Sequence, residues 1–101
     1  MSFFVTVTFD LNYAEPAVYL KINDDLRGLD FSKYLSGWRK MNTQLPSNTF
    51  VAEFDTKDYA RSSEVRDWLK VEIKKIFKKH FVSGNFFIAV GKKWAWSVGQ
   101  V

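Results

Sequence analysis

The segment that decides the fold spans residues 62–81 and reads SSEVRDWLKVEIKKIFKKHF. Its apolar residues recur at steps of three and four, which places them on one face of an amphipathic helix. They are Val65, Trp68, Leu69, Ile73, Ile76 and Phe77. A row of lysines at i, i+4 and i+8 lies on the other side: Lys70, Lys74 and Lys78. Ser62 or Ser63 is placed to cap the start of this helix, and Ser83-Gly84 to end it.

The chain before this helix begins with a strand and a first helix. Residues 3–9 alternate between an apolar face (Phe3, Val5, Val7, Phe9) and a mixed face, which predicts a half-buried strand. Pro16 suits the first turn of a helix because its fixed φ matches that position. Val18, Ile22, Leu26 and Leu29 form the apolar stripe of this helix, and Gly28 is expected to end it.

Four further strands are predicted from shorter patterns. Residues 31–38 and 49–54 are expected to pair as a hairpin, joined by residues 39–48, which have turn chemistry throughout. Residues 85–90, NFFIAV, are nearly all apolar and are interpreted as a central strand. Residues 94–98 alternate as a last short strand.

This order predicts an α+β fold of the ferredoxin-like β-α-β-β-α-β type, with a short C-terminal strand added. In that fold both helices cover one face of an antiparallel sheet. The 101 residues are interpreted as a single domain, 1–101, because this length supports one core. Aromatic residues make up 18% of the chain, so we expect some rings to remain exposed or to be buried by a partner.

The sequence is predicted to be that of a cytoplasmic protein. It contains no cysteine, which excludes disulfides and thiolate sites and fits a reducing compartment. The first residues have no positively charged region of the kind a signal peptide has, and they alternate like a strand. No apolar run approaches the roughly 20 residues that span a bilayer, so no membrane association is expected.

Charge is distributed unevenly along the chain. The net charge is +4. Residues 1–60 carry six Lys/Arg against eight Asp/Glu, a net charge of −2, whereas residues 61–101 carry nine against three, a net charge of +6. A basic C-terminal half can attract phosphate backbones or an acidic partner, and the alternative interpretation is a solvated lysine face.

Few residues have the arrangement of a catalytic site. There is no Gly-rich phosphate loop or zinc-type spacing, and the lone histidine, His80, is interpreted as a capping or surface residue. Asp10 follows the first strand, where side chains emerge at the rim of a sheet. It could bind Mg²⁺ weakly alone and better where a dimer brings two carboxylates together. The alternative is an aspartate that hydrogen-bonds nearby amides, so no cofactor is certain.

Basic and aromatic residues are interleaved at two places, residues 38–40 (Trp-Arg-Lys) and 92–96 (Lys-Lys-Trp-Ala-Trp). Single-stranded nucleic acid is bound by such sets, since cations contact phosphates and rings stack on bases. The candidate residues are Arg39, Lys40, Lys92, Lys93, Trp94 and Trp96. For the two tryptophans the favoured alternative is a cover over the core or an edge strand that pairs with another subunit.

The first half of the chain resembles the GhoS family of endoribonuclease antitoxins, which share a ferredoxin-like group with the small CRISPR-adaptation nucleases. The resemblance covers residues 5–54 and uses short, common residues. It is carried by Phe9-Asp10, Val18-Tyr19-Leu20-Lys21-Ile22, Phe31-Ser32, Gln44-Leu45, Asn48 and Phe50.

This resemblance implies a function and a set of site residues. In the GhoS family a small cytoplasmic protein cleaves single-stranded regions of a toxin's messenger RNA, and arginines on the first helix are implicated in cleavage. The matching positions here are Lys21, which keeps the charge, and Asn23, which does not. In the CRISPR-related branch an aspartate at the end of the first strand holds a metal across a dimer, and Asp10 matches it in position.

Two functions from different classes are therefore expected. The first is an RNA-binding endoribonuclease that acts as a toxin–antitoxin antitoxin, as a homodimer, with Lys21 and Asp10 as catalytic residues. Its RNA contacts would come from Arg27, Arg39, Lys40, Lys70, Lys74, Lys78, Lys92, Lys93, Trp94 and Trp96. The second is a non-catalytic module, such as a phage or plasmid inhibitor, that docks an acidic protein through its basic second helix. A small-molecule sensor is a weaker third option because no pocket motif supports it.

Overall fold

The alternating segment at the start of the chain forms the middle strand of a sheet. The structure is a computed structural model that describes residues 2–32, 34–36, 42–44, 48–55 and 61–92. Its elements in chain order are β1 (Ser2–Leu11), α1 (Pro16–Gly28), β2 (Tyr34–Ser36), β3 (Asn42–Gln44), β4 (Thr49–Asp55), α2 (Ser62–Lys79) and β5 (Gly84–Gly91). The described part of the main sheet has the order β4-β1-β5, and both neighbours run antiparallel to β1. The chain is thus a small α+β protein.

One face of β1 supplies the centre of the core. Phe3, Val5, Val7 and Phe9 are all buried, as the alternation predicts. They belong to one apolar cluster with side chains of both helices and of β4. Its other buried members include Ile22, Leu26, Phe50, Val65, Leu69, Ile73, Ile76 and Phe77. The apolar stripes predicted for the two helices are therefore confirmed as core faces, with Val18, Leu29 and Trp68 packed at the margin.

Both helices end in the same backbone arrangement, and neither uses a glycine in the left-handed position. After α2, the amide of Phe81 donates to the carbonyl of Lys78 (3.2 Å) and that of Val82 to the carbonyl of Phe77 (3.1 Å). This is the Schellman pattern, in which the residue after the C-cap has a positive φ. That residue is Phe81, with φ 54°. The expectation that Ser83-Gly84 ends the helix is wrong, because the turn is closed two residues earlier.

The starts and ends of the helices differ from expectation in two smaller ways. Helix α1 does end at Gly28, but the residue with positive φ is Asp30 (φ 70°), which tolerates that conformation better than most residues. The predicted serine cap of α2 is wrong: the N-cap residue is Arg61, and no side-chain hydrogen bond caps the helix. Ser62 already lies within the helix, so its backbone is past the capping position.

Within the described residues, the predicted hairpin between residues 31–38 and 49–54 is formed only at its base. Ser32 and Val51 exchange two backbone hydrogen bonds of 2.8 and 2.9 Å. Beyond that bridge, β2 pairs with β3, which lies in the segment expected to be turns throughout. A local pairing closes a shorter loop and so costs less chain entropy than extending the pairing along β4.

Among the described strands, β5 does not hold the central position that its apolar sequence suggested. In the part of the chain that the structure describes, β5 pairs with β1 alone, and β1 holds the middle position. Phe86, Ile88 and Val90 pack on the core, whereas Phe87 and Ala89 are exposed on the other face. The last strand expected at 94–98 lies outside the described residues. No helix in the described ranges is long and apolar enough to span a membrane.

Gly84 is required by a close approach between β5 and β1. A Cβ at this position would overlap the backbone carbonyl of Asp10, whereas a Cβ at Gly91, at the other end of β5, would meet nothing within 4 Å. We expect Gly84→Ala to lower the free energy of unfolding by about 1–3 kcal/mol, because backbone must move to make room. Gly91→Ala should change it by less than about 1 kcal/mol. Urea unfolding of both variants measures the difference, and equal effects would contradict the close approach.

Candidate nucleic-acid interface

The solvent side of α2 has lysines in two different electrostatic situations. Lys75 pairs with Glu72 (Nζ to Oε1, 3.3 Å) and Lys79 pairs with Asp25 (Nζ to Oδ1, 3.2 Å). Lys70, Lys74 and Lys78 are exposed and have no hydrogen bond or ion pair with any described residue. We call these three residues the lysine row. Its positive charge is not neutralised within the described part of the protein.

The lysine row begins on the flank of α2 that is turned away from α1 and continues across its solvent side. Lys70 and Lys79 are nine residues apart, which is about two and a half helical turns, so they project on opposite sides of α2. Lys79 contacts α1 through Asp25. Phe77, seven residues from Lys70 and therefore on nearly the same side, contacts Phe86 of β5 with ring centroids 5.9 Å apart. Lys70 therefore borders the β5 side of the molecule, and Lys74 and Lys78 lie about 40° and 80° further round α2, toward solvent.

Asp25 joins the two helices at the C-terminal end of α2. Its Oδ2 lies 2.6 Å from Nε2 of His80, and both carboxylate oxygens accept from Lys79. Partial burial acts to raise the pKa of Asp25, but the hydrogen bonds and charges of His80 and Lys79 outweigh it, so the pKa is lowered from its usual value of 3.8. His80 follows the last residue of α2 at the C-cap and its side chain is 14% exposed. It is a capping residue, as expected, and it also binds α1.

The groove between the helices is lined by both acidic and basic side chains. It has a volume of about 320 Å³, and its lining residues are Asp24, Asp25, Gly28, Leu29, Glu72, Lys75, Ile76 and Lys79. Each of its lysines is paired with a carboxylate of the groove. The groove therefore offers an anion much less attraction than the lysine row does.

The two predicted catalytic residues, Lys21 and Asp10, are both exposed, but they do not contact each other. Lys21 lies on the solvent side of α1, and Asp10 lies near the end of β1 opposite Asn85. No hydrogen bond or ion pair connects them. A groove of about 160 Å³ at Asp10 has as its described lining residues Thr8, Phe9, Asp10, Asn85, Phe86 and Phe87, none of which is positively charged.

Asn23, the second position matched in the GhoS resemblance, faces the core. It is 7% exposed, and its Oδ1 has no hydrogen-bond partner in the described residues. A residue in this position cannot reach a ligand in solvent from the face that Lys21 occupies. Of the two positions matched on α1, the structure leaves only Lys21 accessible.

The other predicted contacts are placed as follows. Arg27 is exposed on α1 and pairs with Asp24 (Nη1 to Oδ1, 3.5 Å), and Lys92 is exposed just after β5. Neither Arg27 nor Lys92 forms a hydrogen bond or an ion pair with Lys21. The remaining candidates lie outside the described residues: Arg39, Lys40, Lys93, Trp94 and Trp96.

A magnesium site at Asp10 is not complete within the described part of one chain. No three His, Cys, Asp or Glu side chains come together there in a way that could hold a metal ion. Mg²⁺ prefers octahedral oxygen coordination, and one exposed carboxylate supplies too few of those ligands. The residues described around Asp10 do not by themselves fit the ion, so we assign no chemical step to it.

Two exposed rings were missed by the sequence patterns. Tyr13 and Phe81 expose 106% and 97% of their surface, and both have φ 54°. A left-handed backbone costs a bulky residue of order 1–3 kcal/mol, and here no burial of the ring offsets it. Phe81 lies at the end of the segment 62–81, and the helical period did not assign it to the apolar face. The signal that could have identified it is the helix end, because the position after a C-cap leaves the helical path.

Comparison with known proteins adds no assignment to this site. The chain matches no protein-family model, and no curated protein matches it significantly. The resemblance to the GhoS family thus depends on the residues quoted between positions 5 and 54.

The contact between the helices predicts a pH-dependent difference between two adjacent aspartates. Because the pKa of Asp25 is lowered in the folded protein, its carboxylate stabilises the fold above pH 3.8, and this contribution is lost as the pH falls through its folded value. At pH 7, Asp25→Asn should lower the free energy of unfolding by about 1–2 kcal/mol. The difference from wild type should shrink below about pH 4.

Asp24→Asn is the matched control, because the Asp24 side chain is 74% exposed and its pair with Arg27 lies on the surface. We expect a change within about 0.5 kcal/mol at either pH. Chemical unfolding at pH 7 and pH 3 measures both variants. Equal effects at pH 7 would show that Asp25 does not hold the helices together.

Proposed function

We propose that the protein binds single-stranded RNA along the lysine row of α2 and cleaves it as a GhoS-type endoribonuclease. The observation that carries the proposal is the contrast on α2 between two paired lysines and three unpaired ones. The unpaired three follow one line, with about 6 Å of helix rise between neighbours. A line of cations suits a ligand with regularly spaced negative charges.

The stability of the protein alone does not account for the lysine row. Like charges at i and i+4 destabilise a helix by about 0.2–0.5 kcal/mol a pair. An RNA backbone removes this repulsion, and it gains binding free energy because the phosphates release their counterions. The row therefore favours a polyanionic ligand.

A full ferredoxin-like sheet is part of the proposal. The order β4-β1-β5 agrees with three of its four strands, and the bridge between Ser32 and Val51 occupies the place where the fourth strand would begin beside β4. This fold is the one that the resemblance implies for the endoribonuclease.

Cleavage requires little from the protein beyond charge and positioning. The 2′-oxygen of the RNA bonds to the adjacent phosphorus as the bond from phosphorus to the 5′-oxygen breaks. Water accepts the proton of the 2′-hydroxyl, and water supplies the proton that the leaving 5′-oxygen takes up. The ammonium group of Lys21 would stabilise the additional negative charge on the phosphate in the transition state. Lys21 is exposed on α1, so its ammonium group is accessible to a ligand in solvent.

The lysine row is tested by replacing all three of its members with glutamine. We expect the triple variant K70Q/K74Q/K78Q to bind a labelled single-stranded RNA more weakly. The slope of log K against log salt should fall by about 2, since each single-strand phosphate contact contributes about 0.7. Lys75→Gln is the control, because Lys75 already pairs with Glu72.

The same titration with poly-L-glutamate separates RNA from an acidic protein partner. Our proposal predicts tighter binding of RNA than of poly-L-glutamate at equal charge concentration. A chain that binds poly-L-glutamate and shows no affinity for RNA would contradict the proposed function and favour the protein-docking module.

The catalytic assignment is tested in a cleavage assay with single variants. Wild type should cleave single-stranded RNA, and Lys21→Ala should cleave it about 10²-fold more slowly at saturating RNA, because a group that stabilises the transition state is gone. Lys75→Ala should retain the wild-type rate. Unchanged cleavage by Lys21→Ala would remove its assigned role. A parallel reaction with EDTA and with Asp10→Ala measures whether a metal and this carboxylate take part.

A further inference from the structure

Tyr13 and Phe81 lie on two loops that the structure fastens together. The amide of Asn12 donates to the carbonyl of Ser83 (2.8 Å), and Nδ2 of Asn12 donates to Oγ of Ser83 (3.3 Å). Tyr13 directly follows Asn12, and Phe81 is two residues before Ser83. The loop between β1 and α1 therefore lies beside the loop between α2 and β5, at one end of the sheet.

The backbone holds both rings out of the core. Phe81 occupies the position after the C-cap of α2, where glycine is the usual residue, and the hydrogen bonds of Phe81 and Val82 to α2 close that turn. Tyr13 has the same φ of 54° in the neighbouring loop. Both rings are fully exposed, so neither contributes burial to the fold. Backbone in this conformation clusters at binding sites.

The lysine row leads to these rings. Lys78, its last member, is three residues before Phe81, and the intervening His80 is fixed to Asp25. An RNA whose phosphates lie along the lysine row would therefore pass one exposed ring at the end of α2 and a second ring on the adjoining loop. Rings beside cations are the arrangement that binds single-stranded nucleic acid, since bases stack on the rings.

We propose that Tyr13 and Phe81 form a stacking platform for the bases of a single-stranded RNA bound along the lysine row. This inference rests on the proposed function and adds the part of the surface that contacts bases rather than phosphates. Charge complementarity selects RNA as the occupant over a second copy of the chain. A copy would bring its own unpaired lysines toward this surface, whereas RNA brings phosphates.

Glycine variants separate a binding role from a structural one. Tyr13→Gly and Phe81→Gly remove a ring and also relieve the positive φ, so the thermal midpoint should be unchanged or higher. Affinity for a labelled single-stranded RNA should fall about fivefold or more for each variant, as expected when one base loses its stacking partner. Tyr13→Phe and Phe81→Tyr keep a ring and should keep the affinity. Leu20→Ala, at an exposed apolar residue of α1, is the control and should bind as wild type does.

An abasic oligonucleotide with the same number of phosphates tests stacking directly. The ring variants should bind it as wild type does, because no base is there to stack. Single-stranded DNA of the same sequence should show the same loss as RNA, since both present bases.

The outcomes distinguish this inference from the proposed function. Ring variants that bind RNA as wild type does, while the variant lacking the lysine row binds weakly, would overturn the stacking platform alone. A loss of affinity that persists on the abasic oligonucleotide would also overturn it. Wild-type protein without affinity for RNA would overturn both proposals.

Discussion

Phe9 is the side chain on which the packing of four elements converges. Its ring lies 6.2 Å from that of Tyr19 on α1, 6.0 Å from that of Phe50 on β4, and 5.9 Å from that of Phe77 on α2. Aromatic contacts of this kind add about 0.5–1.5 kcal/mol each beyond the area they bury. Phe9 lies near the end of β1, so this cluster fixes the end of the sheet where the two ring-bearing loops begin. The surface features of that end depend on it.

The contact between the two helices determines which lysines of α2 are paired and which are not. Asp25 engages Lys79 and His80, and Glu72 engages Lys75, so the side of α2 toward α1 is neutralised internally. What remains unpaired is the lysine row on the other flank. The same contact that docks α2 on α1 therefore directs the excess positive charge to one side, and an anionic ligand is attracted there rather than into the groove between the helices.

The parts of the fold that periodicity describes were predictable from the sequence. The alternation of β1 and the helical stripes of α1 and α2 are set by which residues avoid water, and the structure buries those faces. Strand β2 lies within the strand predicted at 31–38, but its pairing with residues 42–44 was not predictable, because that short polar segment has no pattern that separates it from a turn. The place of β5 beside β1, outside the centre of the described strands, was not predictable, because an apolar strand looks the same at the middle and at the edge of a sheet. The alternation of half-buried and exposed side chains along β5 became evident only from the structure, in which β5 packs beside β1.

The candidate site was predictable in part. The lysine row follows from spacing alone, but its difference from Lys75 and Lys79 requires knowing where Asp25 and Glu72 lie. Tyr13 and Phe81 could not be identified, since their exposure comes from backbone conformations that only the folded loops reveal. Asn23 shows the opposite error: a position matched to a functional arginine turns toward the core.

An NMR titration of the isotope-labelled full chain with a short single-stranded RNA tests the central claim most directly. The account predicts that the shifted amides lie along the lysine row and in the two loops that carry Tyr13 and Phe81. The amide signals of Asp25 and Gly28, in the groove between the helices, should keep their chemical shifts. Shifts concentrated in that groove, or no shifts at all, would contradict the assignment of this surface to RNA.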